Sequence, residues 1–191
     1  PTSLSATPWN NITSHQESST TSWIKDVENN YTNIGVRVLD GFTATHAGVG
    51  SEPASPVTVD GVEFPLTAWK DGLLVKGEKN QGDVGPGRIE ISQLDVARKY
   101  NFTILAIRFN GSKDARISSY KLVGKTESAV KEVKTGIKDA ASFAANFEEY
   151  IAKFENVEPD SEGKVIVEVK GLDTGSAAEG HINALCISLA K

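Results

Sequence analysis

YNFTILAIRF, residues Tyr100 to Phe109, decides the fold. The run is aromatic and β-branched, the composition of a strand. Phe102, Ile104 and Ala106 fall on one face, and Thr103, Leu105, Ile107 and Phe109 on the other. A strand that is apolar on both faces needs cover on both, which predicts a central position. The turn-like Asn110-Gly111-Ser112-Lys113-Asp114 follows, and Ile117 to Val123 is expected as the neighbouring strand.

Outward from this core the same period recurs. Ile34, Val36 and Val38 share a face and end at the turn dipeptide Asp40-Gly41. VTVDGVEF (Val57 to Phe64) places two short apolar runs around Asp60-Gly61, the strongest local hairpin signal in the chain. Leu73 to Val75, Arg88 to Ile91, Ala129 to Lys134 and Lys164 to Lys170 read as further strands, and His181 to Leu189 as the last. Ala44 to Ser55 and Gly77 to Gly87 are small, polar and Gly-rich, and read as loops. Asp139 to Phe147 carries helical spacing with Asp139 as N-cap, and a strand runs on to about Val157. Roughly ten short strands, with turn signals about 8–12 residues apart and no helical crossovers, predict an all-β antiparallel sandwich with one short helical element. The 191 residues suit a single domain, 1–191, with 1–22 as an extended lead-in strand segment, because a disordered tail seldom spends a tryptophan such as Trp9.

Composition narrows function. The net charge of −5 argues against nucleic acid or an anionic membrane surface, since both need a basic footprint. No apolar run is long enough for a membrane span. The chain has no methionine, so it reads as a mature or trimmed product, and a missing targeting segment does not place it in the cytoplasm. Cys186 is the one cysteine; it excludes an intrachain disulfide and reads as a small buried hydrophobe.

Several motifs align with a known architecture. Trp9-Asn10-Asn11-Ile12-Thr13 comes first, then the strand ending in Asp40-Gly41-Phe42. Leu94 and Tyr100-Asn101-Phe102-Thr103 lead into the central strand. Arg116 and Tyr120 precede Val123-Gly124. Phe154, Val157-Glu158-Pro159-Asp160 and Gly163 follow, and Gly180-His181-Ile182-Asn183-Ala184-Leu185 closes the series. In this order the chain resembles galactose-binding-like, jelly-roll β-sandwich domains of exported proteins from polysaccharide-degrading bacteria. The resemblance covers most of the chain, and its motifs are strand-and-turn punctuation, so it speaks to fold before activity. It implies a secreted, periplasmic or cell-surface location. It also implies a carbohydrate partner, since such domains accompany glycoside hydrolases or esterases as sugar-binding or spacer modules.

Catalytic equipment is not recognisable. No Gly-x-Ser-x-Gly elbow occurs, and His15, His46 and His181 read as surface or strand-end residues. Acids are many, but spacing selects no pair for glycoside hydrolysis. Calcium needs six to eight oxygen ligands from loops; Asp83 in the Gly-rich loop and Asp160 in Pro159–Gly163 are the candidates for a Ca²⁺ that the resemblance makes possible. Asp-Gly turn chemistry explains both without a metal. The four Asn-x-Ser/Thr sequons, at Asn11, Asn30, Asn101 and Asn110, read as turn preference.

Aromatics carry the functional signal. A sugar ring stacks its C–H face on Trp or Tyr while its hydroxyls take planar polar partners. Trp69, Trp23, Tyr31 and Trp9 lie outside the strongest strands, and Arg116 stands beside the Gly111–Asp114 loop to add hydroxyl contacts. These five are the candidate ligand residues; the competing reading is that each Trp closes an end of the core. The reading is a non-catalytic carbohydrate-binding or accessory module. Its alternatives are a structural or adhesion module with a protein or cell-surface partner, and a glycan-acting hydrolase with an unidentified acid pair.

Overall fold

The structure, a computed structural model, describes residues 9–47, 56–65, 67–78, 82–109, 116–137, 145–172 and 178–191, without the side chains of 46, 47, 69–71, 109 and 137. In chain order the strands are β1 (Thr20–Thr21), β2 (Gly35–Asp40), β3 (Ala44–Ala47), β4 (Val57–Val59), β5 (Val62–Phe64), β6 (Asp71–Lys76), β7 (Val84–Ser92) and β8 (Tyr100–Leu105). They continue as β9 (Arg108–Phe109), β10 (Ile117–Val123), β11 (Lys131–Lys134), β12 (Gly136–Ile137), β13 (Ile151–Val157), β14 (Val165–Leu172), β15 (Glu179–Ile182) and β16 (Ala184–Leu189). One helical turn, α1 (Thr67–Lys70), precedes β6, and a 3-10 turn, Phe147–Tyr150, precedes β13.

Six strands form one antiparallel sheet in the order β1-β2-β7-β14-β10-β11. Against it lie β13-β8-β16 and β15-β6-β3, both antiparallel. The result is the expected all-β antiparallel sandwich. One hydrophobic cluster fills it, drawing Val38, Ile89, Ile91, Val165, Val167 and Val169 from the large sheet and Phe102, Ile104, Leu105 and Ala152 from the facing layer. β8 is central, flanked by β13 and β16, with Phe154 and Ile187 both paired to Phe102. Asp60 and Gly61 adopt left-handed conformations (φ 51° and 81°), the geometry a two-residue I′ turn between β4 and β5 requires.

Three connections differ from the sequence reading. Ile117 to Val123 does not pair with β8; as β10 it lies in the six-stranded sheet between β14 and β11. Both edges of β8 are taken by β13 and β16, and nearness in sequence does not decide pairing. His181 to Leu189 is not one strand. It breaks at Asn183, with β15 in one sheet and β16 in another. Asn183 holds the corner: its N–H donates to the Leu105 carbonyl, and its Oδ1 accepts the Ile107 N–H at 2.8 Å. Ala44 to Ala47, read as loop, pairs with β6 as a short edge strand. The helical stretch expected from Asp139 lies partly outside the described residues; its described end is the Phe147–Tyr150 turn.

The outer face of the large sheet carries charges in register. Arg37 faces Glu90 across β2 and β7. Arg88 bridges Asp40 on β2 and Glu168 on β14, and Lys121 on β10 reaches the same Glu168 at 3.1 Å. Despite partial burial, the hydrogen bonds from Arg88 and Lys121 hold the Glu168 carboxyl below its ordinary range. Among the described residues this face is an ion-pair lattice.

Candidate functional site

Between β1 and β2 the chain leaves the sandwich as a small hairpin. The Ile24 N–H donates to the Ile34 carbonyl, the Thr32 N–H to the Ile24 carbonyl, and the Asp26 N–H to the Asn30 carbonyl. Lys25 and Tyr31 sit opposite each other in an antiparallel bridge. Asp26 closes the tip as an Asx turn: its Oδ1 accepts the N–H groups of Glu28 at 2.9 Å and Asn30 at 2.8 Å. Asn29 takes the left-handed conformation, φ 68°, which asparagine tolerates.

This hairpin holds its large apolar side chains in water. Trp23 is 66% exposed, and Tyr31 and Val27 are each 74% exposed. Trp23 also has φ 56°, a left-handed conformation that is an outlier for a bulky residue. The Lys25 ammonium covers one face of the Tyr31 ring, 4.8 Å from its centroid, while donating to Asn29 Oδ1 at 3.0 Å. Aromatic rings thus stand beside planar amides and carboxylates, those of Asn29, Asn30, Asp26 and Glu28.

The remaining sequence-nominated residues lie elsewhere. The Trp9 ring is half-buried and packs on Phe64 of β5, centroids 5.2 Å apart and tilted 50°, so it belongs to the core margin. Trp69 lies in the α1 backbone, but its side chain is outside the described residues, as is the Gly111–Asp114 loop. Arg116 points inward, its Nη1 3.0 Å from Glu179 Oε2. Asp160 Oδ1 accepts the N–H groups of Glu162 and Lys164 and closes the turn before β14. Asp83 stands one residue before β7. Among the described residues no group of three or more His, Cys, Asp or Glu side chains is arranged to hold a metal ion.

Sequence reasoning missed a buried polar cluster between the sheets. Glu179, 1% exposed, is approached by Arg108, Arg116, Lys76 and His181. His181 is also fully buried, not a surface or strand-end residue. Its backbone is tied to the opposite sheet, for the Ser118 hydroxyl accepts its N–H and the Tyr120 hydroxyl donates to its carbonyl. Two glycines permit this approach. A Cβ on Gly171 of β14 would lie 2.4 Å from the Glu179 carbonyl carbon, and one on Gly180 would lie 2.6 Å from that of Lys170. Burial pushes the Glu179 carboxyl up, but the His181 hydrogen bond and the charges of Arg108 and Arg116 outweigh it and hold it at about 2. Burial and the two arginines push the His181 imidazole down, so at neutral pH it is uncharged, with Nε2 3.4 Å from Glu179 Oε2. Ser118 and His181 are both sealed from solvent. The one available signal was Glu179 at the head of an apolar run, flanking a glycine.

A shallow, open depression lies at another edge, lined by Lys125, Thr126, Ser128, Glu155, Asn156, Val157 and Glu158. Hydrogen bonds from Lys125 at 2.8 Å and Lys99 at 2.9 Å hold the Glu158 carboxyl at about 2. Its lining has no aromatic ring for a sugar face.

No family model matches the chain, and no curated protein does. Among solved structures it is similar to TmCBM61, determined in complex with β-1,4-galactotriose, at 12% identity and a TM-score of 0.37, over 63% of this chain and 71% of that one. A likeness at that level carries neither ligand nor site to this chain.

Proposed function

We propose that the chain is a non-catalytic carbohydrate-binding module whose ligand platform is the hairpin carrying Trp23 and Tyr31. One observation carries this reading: two aromatic rings are held in solvent on a hydrogen-bonded scaffold, one of them on a left-handed backbone. Residues in sparsely populated conformations cost about 1–3 kcal/mol and cluster at ligand sites. Water gains nothing from exposed rings, whereas the C–H face of a pyranose stacks on them, and Asn29, Asn30 and Asp26 supply planar hydroxyl partners. Trp9 is engaged with Phe64 and Arg116 with Glu179, so the platform is drawn from the hairpin without them. The setting in an exported bacterial protein and an accompanying Ca²⁺ rest on the resemblance in the motifs.

The test is retention on insoluble cellulose, xylan, galactan and chitin, with thermal unfolding against the matching oligosaccharides. Binding to one polysaccharide class is expected, weakened about tenfold or more by Trp23→Ala or Tyr31→Ala, since buried aromatic anchors contribute upward of about 1–2 kcal/mol each. No retention on any of the four removes the reading. The exposed Val27 beside the rings would then favour the adhesion alternative, with a protein partner seated on the same tip.

A further inference from the structure

We propose that Asn10 is a positioning residue that sets the aromatic hairpin's orientation on the sandwich; the inference rests on the hairpin being the ligand platform. The hydrogen bonds of the hairpin run between residues 24 and 32 and between 26 and 30. Lys25 and Tyr31 are therefore a non-hydrogen-bonded pair, whose backbone N–H and C=O groups point away from each other while their side chains approach closely. The outward groups of Lys25 need partners, and Asn10 supplies both. The Lys25 N–H donates to Asn10 Oδ1 at 2.8 Å, and Asn10 Nδ2 donates to the Lys25 carbonyl at 2.8 Å. One side-chain amide thus stands in for a third strand, fifteen residues away in sequence.

What Asn10 is attached to gives this pairing its consequence. Its neighbour Trp9 packs on Phe64, and Ile12 packs on the same core cluster. Residues 9–12 form a strap with two apolar anchors in the sandwich and one polar clasp on the hairpin. The clasp holds Lys25, and Lys25 lies over Tyr31 with Trp23 two residues away. The ends of the hairpin fix where it leaves the sheet, and the Asn10 clasp fixes its tilt. A ligand spanning both rings requires that tilt in advance, because ordering a loop on binding subtracts from affinity.

The experiment compares Asn10→Ala, Asn10→Asp, Trp23→Ala and Tyr31→Ala. Backbone amide exchange at Lys25, urea unfolding, and retention on cellulose, xylan, galactan and chitin are measured for each. For Asn10→Ala we expect Lys25 exchange to accelerate and Kd to weaken by about tenfold with an intact urea midpoint, the signature of lost preorganisation. Asn10→Asp keeps the acceptor for the Lys25 N–H, loses the donor, and should fall between. A merely structural residue would move the urea midpoint and Kd together. Unchanged Kd in Asn10→Ala, with binding abolished by Trp23→Ala, overturns the positioning role and leaves the platform standing. Undiminished retention of both aromatic variants, or no retention of the parent, removes the platform and this inference with it.

Discussion

Glu179→Gln probes the buried cluster with the smallest change of shape. The substitution keeps the size of the side chain and deletes the charge on which Arg108, Arg116 and Lys76 converge. In an unfolded chain a glutamate titrates near 4.3; here the carboxyl is held at about 2. A folded-state value below the unfolded one means stability present above the unfolded value and lost as pH falls through the folded one. At about 1.4 kcal/mol for each pH unit of difference, Glu179 contributes about 3 kcal/mol at neutral pH. The same size follows from breaking a buried ion pair by removing one partner, about 3–5 kcal/mol. The assay is urea unfolding at pH 7, 5, 4, 3 and 2. Urea is preferred to guanidinium because guanidinium is itself a screening salt. The parent should lose stability steadily below about pH 5, while Glu179→Gln should start about 3 kcal/mol lower at pH 7 and converge with it near pH 2. A variant within 1 kcal/mol of the parent at pH 7, or one with the parent's full acid sensitivity, would refute the reasoning.

Two further outcomes follow from the same packing. His181, held neutral by burial and by the facing arginines, should destabilise the fold once pH drops below its ordinary value near 6.5, because only the unfolded chain then takes up the proton. His181→Gln retains a donor toward Glu179 and should flatten the stability profile between about pH 6.5 and 5, measured by the same urea series. The glycines separate backbone strain from crowding. Gly61→Ala meets nothing within 4 Å but keeps φ 81°, and should cost about 1–2 kcal/mol. Gly171→Ala places a methyl 2.4 Å from the Glu179 backbone and should cost upward of about 3 kcal/mol or prevent folding. Equal unfolding midpoints for the two would contradict the close approach of β14 and β15.

The architecture was legible wherever local chemistry decides it. Tyr100 to Leu105 announces a strand covered on both faces, and Asp60-Gly61 announces its turn, because pleat alternation and left-handed backbone are local properties. The partner of β10 was not legible, since pairing depends on which edges other strands leave open. Neither was the division of the last strand, which depends on Asn183 meeting Leu105 and Ile107 across the fold. The Glu179 cluster joins residues from four separate strands and loops, and an isolated glutamate at the head of an apolar run does not announce two arginines. For the candidate site, the polar company of Trp23 and Tyr31 hinted at exposure. The identical hint for Trp9 does not distinguish exposure from its packing on Phe64, a contact 55 residues distant in sequence. The hairpin itself carries no alternating apolar signal, because hydrogen bonds and an Asx turn build it.

The corner at Asn183 has a consequence for how the molecule comes apart. β15 and β16 are one continuous stretch of backbone serving two sheets, and Asn183 ties that stretch to the turn between β8 and β9. Opening either facing sheet strains the Asn183 tie, so the two are expected to open together. Amides in β6 and in β8, which share no hydrogen bond, should consequently exchange in one cooperative event. The protein should then be slow to assemble, because Glu179 to Leu189 must find partners laid down some eighty to one hundred and ten positions earlier.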